Sequence, residues 1–171
     1  VGAIRQTAPR PADFDAYWQG EKERLAREVP MDVTCEEATW LPKAPKWRVY
    51  LLSFPTFGGK RLYGFLTVPR DVSKAPFRAR VRICDAGDGA HGPWEANENE
   101  VTATLNVHYF RPGKTKAEQH ELIRRLNESL AEKYGRKGLT YRNAGIEGAR
   151  GDYYFHDAMV GLARAVDYIA T

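Results

Sequence analysis

The sequence predicts an α/β fold. Three observations carry that expectation: paired β-branched and aromatic runs flank a glycine turn, two further strand-like runs follow, and three segments show helical periodicity. A hairpin leading into strands that alternate with helices implies a mixed sheet with helical cover. Of the 171 residues, 43% are hydrophobic, enough for a real core in one domain. No run approaches the 18 or so apolar residues that a membrane helix needs, which excludes a helical membrane span.

The elements follow in order. Residues 1–11 read as an extended linker and residues 12–171 as a single α/β domain. The first helix is expected over 12–28. Pro11 suits its entry, Asp13 its cap or first turn, and Asp15 its dipole, while Phe14, Trp18 and Leu25 share a stripe and Pro30 ends it. Residues 47–54 and 61–69 form the hairpin, joined by Pro55-Thr56-Phe57-Gly58-Gly59-Lys60. Residues 78–84 and 101–107 are the further strands. A second helix is expected over 115–134, opened by a Thr115/Glu118 capping box and closed by Gly135 and Gly138. In the last helix, Phe155, Met159, Leu162, Val166 and Ile169 step by four and three, predicting a core-facing stripe with Asp152 as N-cap.

Charge excludes one class of partner. The net charge is +4, and residues 111–150 hold ten Lys or Arg against five Glu. The acids stand at helical spacing from the bases, and only Tyr134 and Tyr141 offer stacking rings there. That pattern is a solvated helix face, not a nucleic-acid surface. Two cysteines, Cys35 and Cys84, make no disulfide framework. Cys84, Asp85, Asp88 and His91 mix metal-capable types but lack the repeated pair that a zinc site uses, so no metal is expected. No cofactor is expected either.

Several strings together resemble one family. Pro9-Arg10-Pro11-Ala12-Asp13-Phe14-Asp15-Ala16-Tyr17-Trp18 is similar to the entry helix of acetyl xylan esterase/cephalosporin-C deacetylase-like α/β-hydrolases. Gly59-Lys60-Arg61-Leu62-Tyr63-Gly64-Phe65-Leu66 with Pro69 resembles that family's strand pair. Cys84-Asp85-Ala86-Gly87-Asp88-Gly89 stands where the family has its glycine turn, and Leu105-Asn106-Val107-His108 matches its next strand. Gly145-Ile146-Glu147, Asp152-Tyr153-Tyr154-Phe155 and Arg164-Ala165-Val166-Asp167-Tyr168-Ile169 resemble the helix that follows.

The resemblance implies a serine esterase that deacetylates carbohydrate through an acyl-enzyme, in a secreted or periplasmic bacterial protein. It implies that this sequence covers the N-terminal part of an α/β-hydrolase-like mixed sheet with flanking helices. Val1 is expected to be an interior start. In α/β-hydrolases the nucleophile sits on a Gly-x-Ser-x-Gly elbow, with Asp and His later in the chain. Ser53, Ser73 and Ser129 lack that context, and the elbow is expected just past Thr171. The partners implied are an acetylated carbohydrate and the C-terminal half of the domain, on the same or a second chain.

The site implied by the resemblance lies after the 78–84 strand. Ala86 is expected to supply one oxyanion N–H, flanked by Gly87 and Gly89, whose lack of a side chain permits close approach to a substrate. Ala86 and Gly87 are both expected to aim N–H groups at an open cleft. His91 and Trp94 are expected to line the substrate pocket, with Gly87. His108 and His120 are expected to be structural and exposed, respectively. The competing reading is a self-contained, non-catalytic module that binds glycan or a partner through residues 84–94.

Overall fold

The computed structural model describes residues 9–85, 87, 89–90, 92–93 and 97–170. In chain order the elements are α1 (Phe14–Glu28), β1 (Thr34–Glu37), β2 (Trp47–Pro55), β3 (Arg61–Pro69), β4 (Arg78–Ile83), β5 (Glu100–Leu105), α2 (Lys116–Lys133) and α3 (His156–Ile169). The strands form one five-stranded sheet in the order β1-β2-β3-β5-β4. Only the β4–β5 pair is parallel, so the sheet is mixed, as the sequence predicts.

The hairpin forms in the expected place. Nine pairs run from Trp47↔Pro69 to Pro55↔Arg61. Gly58 and Gly59 close it with φ of 64° and 70°, a left-handed backbone that residues with a Cβ rarely adopt. Period-two alternation then sorts the side chains. Leu52, Phe54 and Leu62 join Ala103, Leu105 and Val107 on one face, and Leu51 and Phe65 join Cys84 and Ala90 on the other. The sequence reading missed β1, which pairs with β2 from Thr34↔Ser53 to Glu37↔Tyr50. Its four residues are all exposed, so it carries no hydrophobic period to read.

Helix α2 is capped as its sequence predicts, with one difference. The Thr115 Oγ1 accepts the Glu118 N–H at 3.2 Å, but Glu118 reaches back to the Lys114 N–H, at 2.8 Å, instead of to Thr115. At its end Gly135 donates to Glu132 O and Arg136 to Ala131 O, the paired bonds of a Schellman motif, with Gly135 at φ 60°. On its exposed side Arg124 and Arg125 pair with Glu121, and Arg124 also with Glu128, as expected of a solvated face.

Two expectations for α3 are corrected. The helix begins at His156, and Asp152 caps a separate 3-10 turn by accepting the Ala149 N–H at 2.8 Å. The buried face is also rotated from the expected stripe. Phe155 and Leu162 are buried, but Met159 is 44% and Val166 50% exposed. The contact with the sheet uses small residues instead: Ala158, Gly161 and Ala165 are fully buried beside Leu162. A Cβ at Gly161 would stand 2.5 Å from Leu62 Cδ1, so the absence of a side chain sets how closely α3 approaches β3. Val160 and Arg164 are buried on the side facing α1, where Val160 packs with Leu25 and Phe57.

Arg164 joins the two helices. Its guanidinium donates to Leu25 O at 3.1 Å and Pro30 O at 3.3 Å, and also to Val29 O. These carbonyls belong to the end of α1, where backbone acceptors lack helical partners and the helix dipole is negative. At the other end of α1, Asp13 makes no side-chain cap; it pairs with Arg150 at 2.7 Å.

Candidate functional site

The chain leaves β4 at Cys84, beside the parallel strand β5, at the carboxyl ends of both. Open α/β sheets place their ligands beyond such strand ends. Cys84 N donates to Leu105 O at 2.9 Å, extending the ladder by one bond. The thiol is buried, and burial pushes its pKa up to about 11, so it is an inert apolar filler.

The turn that follows is held from beneath by buried polar side chains. Asn106 takes both backbone groups of Ala90: Oδ1 accepts the N–H at 2.6 Å and Nδ2 donates to the C=O at 3.0 Å. Gly89, at φ 70°, lies so close that a Cβ there would stand 2.6 Å from Asn106 Oδ1 and 3.1 Å from Gln119 Nε2. Gln119 is fully buried and accepts the Gly113 N–H at 2.8 Å, which ties α2 to the same region. The Gly87 carbonyl lies 3.3 Å from His108 Nε2 and 3.4 Å from the Tyr141 hydroxyl.

His108 sits at the centre of an aromatic cluster. Its ring stacks on Phe110 at 5.3 Å and meets the edge of Tyr141 at 4.8 Å. Its Nδ1 is 3.1 Å from the Tyr154 hydroxyl. Tyr109 donates to the Tyr154 carbonyl at 2.7 Å. Burial raises the pKa of both Tyr109 and Tyr154, so these phenols stay protonated and serve as donors. His108 is therefore structural, as expected, and His120 is exposed on α2.

The expected site residues fare differently. Ala86, His91 and Trp94 lie outside the described residues. Gly87 lies in the turn, but its N–H does not face a cleft unpaired; it donates to Asp85 Oδ1 at 2.8 Å. A carboxylate one residue beyond its neighbour closes this local ring at little cost, which the expectation of two free donors overlooked. The roles of Asn106, Gln119 and Tyr141 were missed altogether. For Asn106 the sequence signal is an amide directly after an apolar strand; Gln119 and Tyr141 carry none.

The three serines lie in a strand, a 3-10 turn and a helix. Ser53 is buried in β2, bonded to Thr34 at 2.8 Å and Arg61 at 3.0 Å. Ser73 donates to Asp71 in a 3-10 turn, and Ser129 lies exposed on α2. Among the described residues no group of three or more His, Cys, Asp or Glu is placed to hold a metal ion. Among the described residues no helix is long and apolar enough to cross a membrane.

A second constellation lies between α1 and α3. Lys60 Nζ pairs with Asp157 Oδ2 at 2.7 Å, Asp157 Oδ1 meets His156 Nδ1 at 2.9 Å, and His156 Nε2 meets the Tyr17 hydroxyl at 2.9 Å. Glu21 Oε2 stands 3.3 Å from the same Nε2. The order hydroxyl–His–Asp matches that of a nucleophilic triad, but burial raises the Tyr17 pKa, and Glu21 adds to the rise. The shift holds Tyr17 in its protonated form, as a hydrogen-bonding partner of His156. An apolar recess of about 450 Å³ adjoins it, lined by Phe14, Trp18, Tyr153 and Met159 among others, and none of its lining belongs to the 84–93 turn.

Comparison with known proteins supplies the remaining findings. Residues 2–171 match the family described as acetyl xylan esterase (AXE1). Acetyl esterase Axe7A of Xylanibacter ruminicola is 26% identical over 175 residues, covering 98% of this chain and 36% of that one. Acetyl xylan esterase 1 of Thermoanaerobacterium sp. JW/SL YS485 superposes with a TM-score of 0.64 at 16% identity, covering 95% of this chain and 47% of that one. An acetyl xylan esterase from Paenibacillus sp. R4 superposes with a TM-score of 0.56 at 14% identity, covering 97% and 49%. The chain thus spans about a third of the curated relative and just under half of each solved structure.

Proposed function

This chain belongs to the acetyl xylan esterase family, and from that premise we propose that it supplies the first half of an esterase domain acting on acetylated carbohydrate. The observation that carries the reading is the family match over residues 2–171, joined to a sheet in which the parallel strand β4 stands at an edge, with no strand on its outer side among the described residues. β4 is exposed along most of its length, with Ile83 51% exposed at its carboxyl end. Such an edge is a template for another strand. On this reading the remaining half of the domain, on the same or a second chain, pairs there and brings the serine, histidine and aspartate.

The division of labour then follows from chemistry. The serine attacks the acetyl carbonyl as histidine takes its proton, and aspartate holds the imidazole in orientation. The tetrahedral intermediate places a negative oxygen above the carboxyl end of β4. The Ala86 N–H supplies one donor to it, and Gly87, His91 and Trp94 border the substrate. The intermediate collapses to the acyl-enzyme as the ester C–O bond breaks and the histidine returns its proton to the departing sugar oxygen; water, deprotonated by the same histidine, then attacks the acyl-enzyme and releases acetate and the free serine. A polymeric substrate places such an enzyme outside the bacterial cytoplasm, secreted or periplasmic.

The test is hydrolysis of an aryl acetate and of acetylated xylan. The complete polypeptide is expected to hydrolyse both, and the 171-residue chain neither. Acetate release by this chain that disappears with Ser53→Ala or Ser129→Ala contradicts the division of labour. Glycan binding by the chain in the absence of any hydrolysis by the complete polypeptide favours the non-catalytic module.

A further inference from the structure

We propose that the recess between α1 and the start of α3 binds a small, neutral aromatic alcohol, such as a phenol or naphthol. The site is separate from the turn after β4 and does not depend on the esterase reading. What carries it is a ring-lined apolar cavity with one hydroxyl of spare hydrogen-bonding capacity in its wall.

Size and lining set the class of ligand. The recess holds about 450 Å³, within the range of small-molecule pockets. Rings supply much of its wall. Trp18 meets Tyr17 edge-on at 5.5 Å and Phe14 at 6.3 Å, and stacks on His156 at 5.6 Å. Tyr153 stands edge-on to Phe155 at 5.6 Å. Phe14, Ile146 and Met159 line the same recess and are exposed. Large apolar side chains left in water around one cavity mark a place for an apolar partner. A flat ring meets these ring faces and edges well. A bare saccharide fits badly, because its many hydroxyls would lose water and find few partners. The loop wall is set in advance: Asp152 Oδ2 accepts the Ala149 N–H at 2.8 Å, and Tyr154 N donates to Ala144 O at 3.0 Å.

Charge selects a neutral occupant. Arg150 lies over the Tyr17 ring at 4.9 Å and Arg10 over the Phe14 ring at 4.3 Å. Each is paired with a carboxylate, Arg150 with Asp13 at 2.7 Å and Arg10 with Asp15. Lys60 is likewise paired with Asp157, the partner of His156, at 2.7 Å. These cations are already neutralised and do not call for an anion.

Hydrogen bonding selects a hydroxyl. The Tyr153 hydroxyl is committed to the Arg142 carbonyl at 3.3 Å. The Tyr17 oxygen meets His156 Nε2 at 2.9 Å, and burial keeps the phenol protonated. If the phenol donates that bond, its oxygen can still accept; if Nε2–H donates it, the phenol proton is free to be donated. A ligand hydroxyl both donates and accepts, so it suits either arrangement, whereas an ether or ketone suits only one.

The experiment is equilibrium dialysis of the complete polypeptide against 2-naphthol, naphthalene, 2-naphthoate and xylotriose. Saturable binding of 2-naphthol at one site is expected, with Kd below about 1 mM, an ordinary affinity for a ligand of this size. Naphthalene is expected to bind about 2–10-fold more weakly, the factor of one neutral hydrogen bond. For 2-naphthoate and xylotriose the loss is expected to reach about 10-fold or more. Tyr17→Phe is expected to erase the preference for 2-naphthol while leaving naphthalene within about twofold. Met159→Trp fills the recess from an exposed position and is expected to weaken both ligands about 10-fold or more, with aryl acetate hydrolysis unchanged.

No saturable binding of 2-naphthol overturns the proposal, as does binding that Met159→Trp leaves intact. A folded Tyr17→Phe that keeps the preference refutes the role of its hydroxyl. Tighter binding of xylotriose or of 2-naphthoate refutes the class of ligand. Self-association that Ile146→Arg abolishes places a second copy in the recess and also refutes it. Should Tyr17→Phe fail to fold, the parent's ratio of 2-naphthol to naphthalene and the Met159→Trp result decide. A parent that hydrolyses nothing overturns the esterase reading and leaves the dialysis result standing.

Discussion

Replacing Arg164 with Met tests how α1 is held to the rest of the molecule. The side chain is 7% exposed on α3 and donates to three carbonyls at the end of α1. Burial lowers its pKa, an effect that Asp167 partly offsets. Leu25 O already accepts the Val29 N–H at 3.0 Å, and Pro30 is exposed enough for water to replace the lost donor. The full loss therefore falls on Val29 O and partly on Leu25 O. A charged donor to a buried acceptor is worth about 1.5–3 kcal/mol, and a cation at a helix C-terminus adds about 0.3–1 kcal/mol.

Against this, Met has similar reach, and removing a buried charge relieves desolvation. The net expected loss is about 2–3 kcal/mol, or roughly 4–12 °C in Tm for a chain of this size. Arg164→Lys keeps the charge with fewer directed donors and is expected to lose about half as much. Urea denaturation followed by circular dichroism measures both. If Arg164→Met falls within about 0.5 kcal/mol of the parent, or Lys is no better than Met, the buried guanidinium is not what joins α1 to α3.

Four further outcomes are expected. Leu162→Ala is expected to cost about 2–5 kcal/mol, because the side chain is buried against the sheet, whereas Val166→Ala, half-exposed, is expected to stay within about 0.5 kcal/mol; equal losses in denaturant melts contradict the rotated face of α3. Although burial pushes the Asp157 carboxyl up, the Lys60 and His156 hydrogen bonds hold it below its ordinary 3.8. Its contribution is therefore complete above the unfolded value and lost as pH falls through the lower folded one. The stability gap between the parent and Asp157→Asn is expected to narrow from about pH 6 to about pH 3, and a constant gap in denaturation series refutes the assignment. Iodoacetamide is expected to label exposed Cys35 in the folded chain and to reach Cys84 only after unfolding, as read by mass spectrometry. Gly89→Ala is expected to disturb the turn, since the backbone is left-handed and a Cβ meets Asn106 Oδ1 within 2.6 Å; unchanged exchange at the Ala90 amide argues against that contact.

Local chemistry decided what the sequence alone determines here. Thr115 before Lys116 and Gly135 after Tyr134 bound α2, because a helix end needs a side-chain acceptor at one side and a left-handed residue at the other. The β2–β3 hairpin was legible for the same reason: alternation and a two-glycine turn are properties of neighbours. The ordered strings that resemble acetyl xylan esterases were legible too, and the family match over residues 2–171 agrees with them. Tertiary structure decided the rest. Which face of α3 is buried depends on where β3 and α1 lie, so the small residues Ala158, Gly161 and Ala165 outweigh the more apolar Met159 and Val166. β1 is a strand only because β2 offers it a ladder. The support beneath the 84–93 turn joins residues as distant as Gly87 and Tyr141, and hydrogen bonds across that separation leave no period or spacing in the chain.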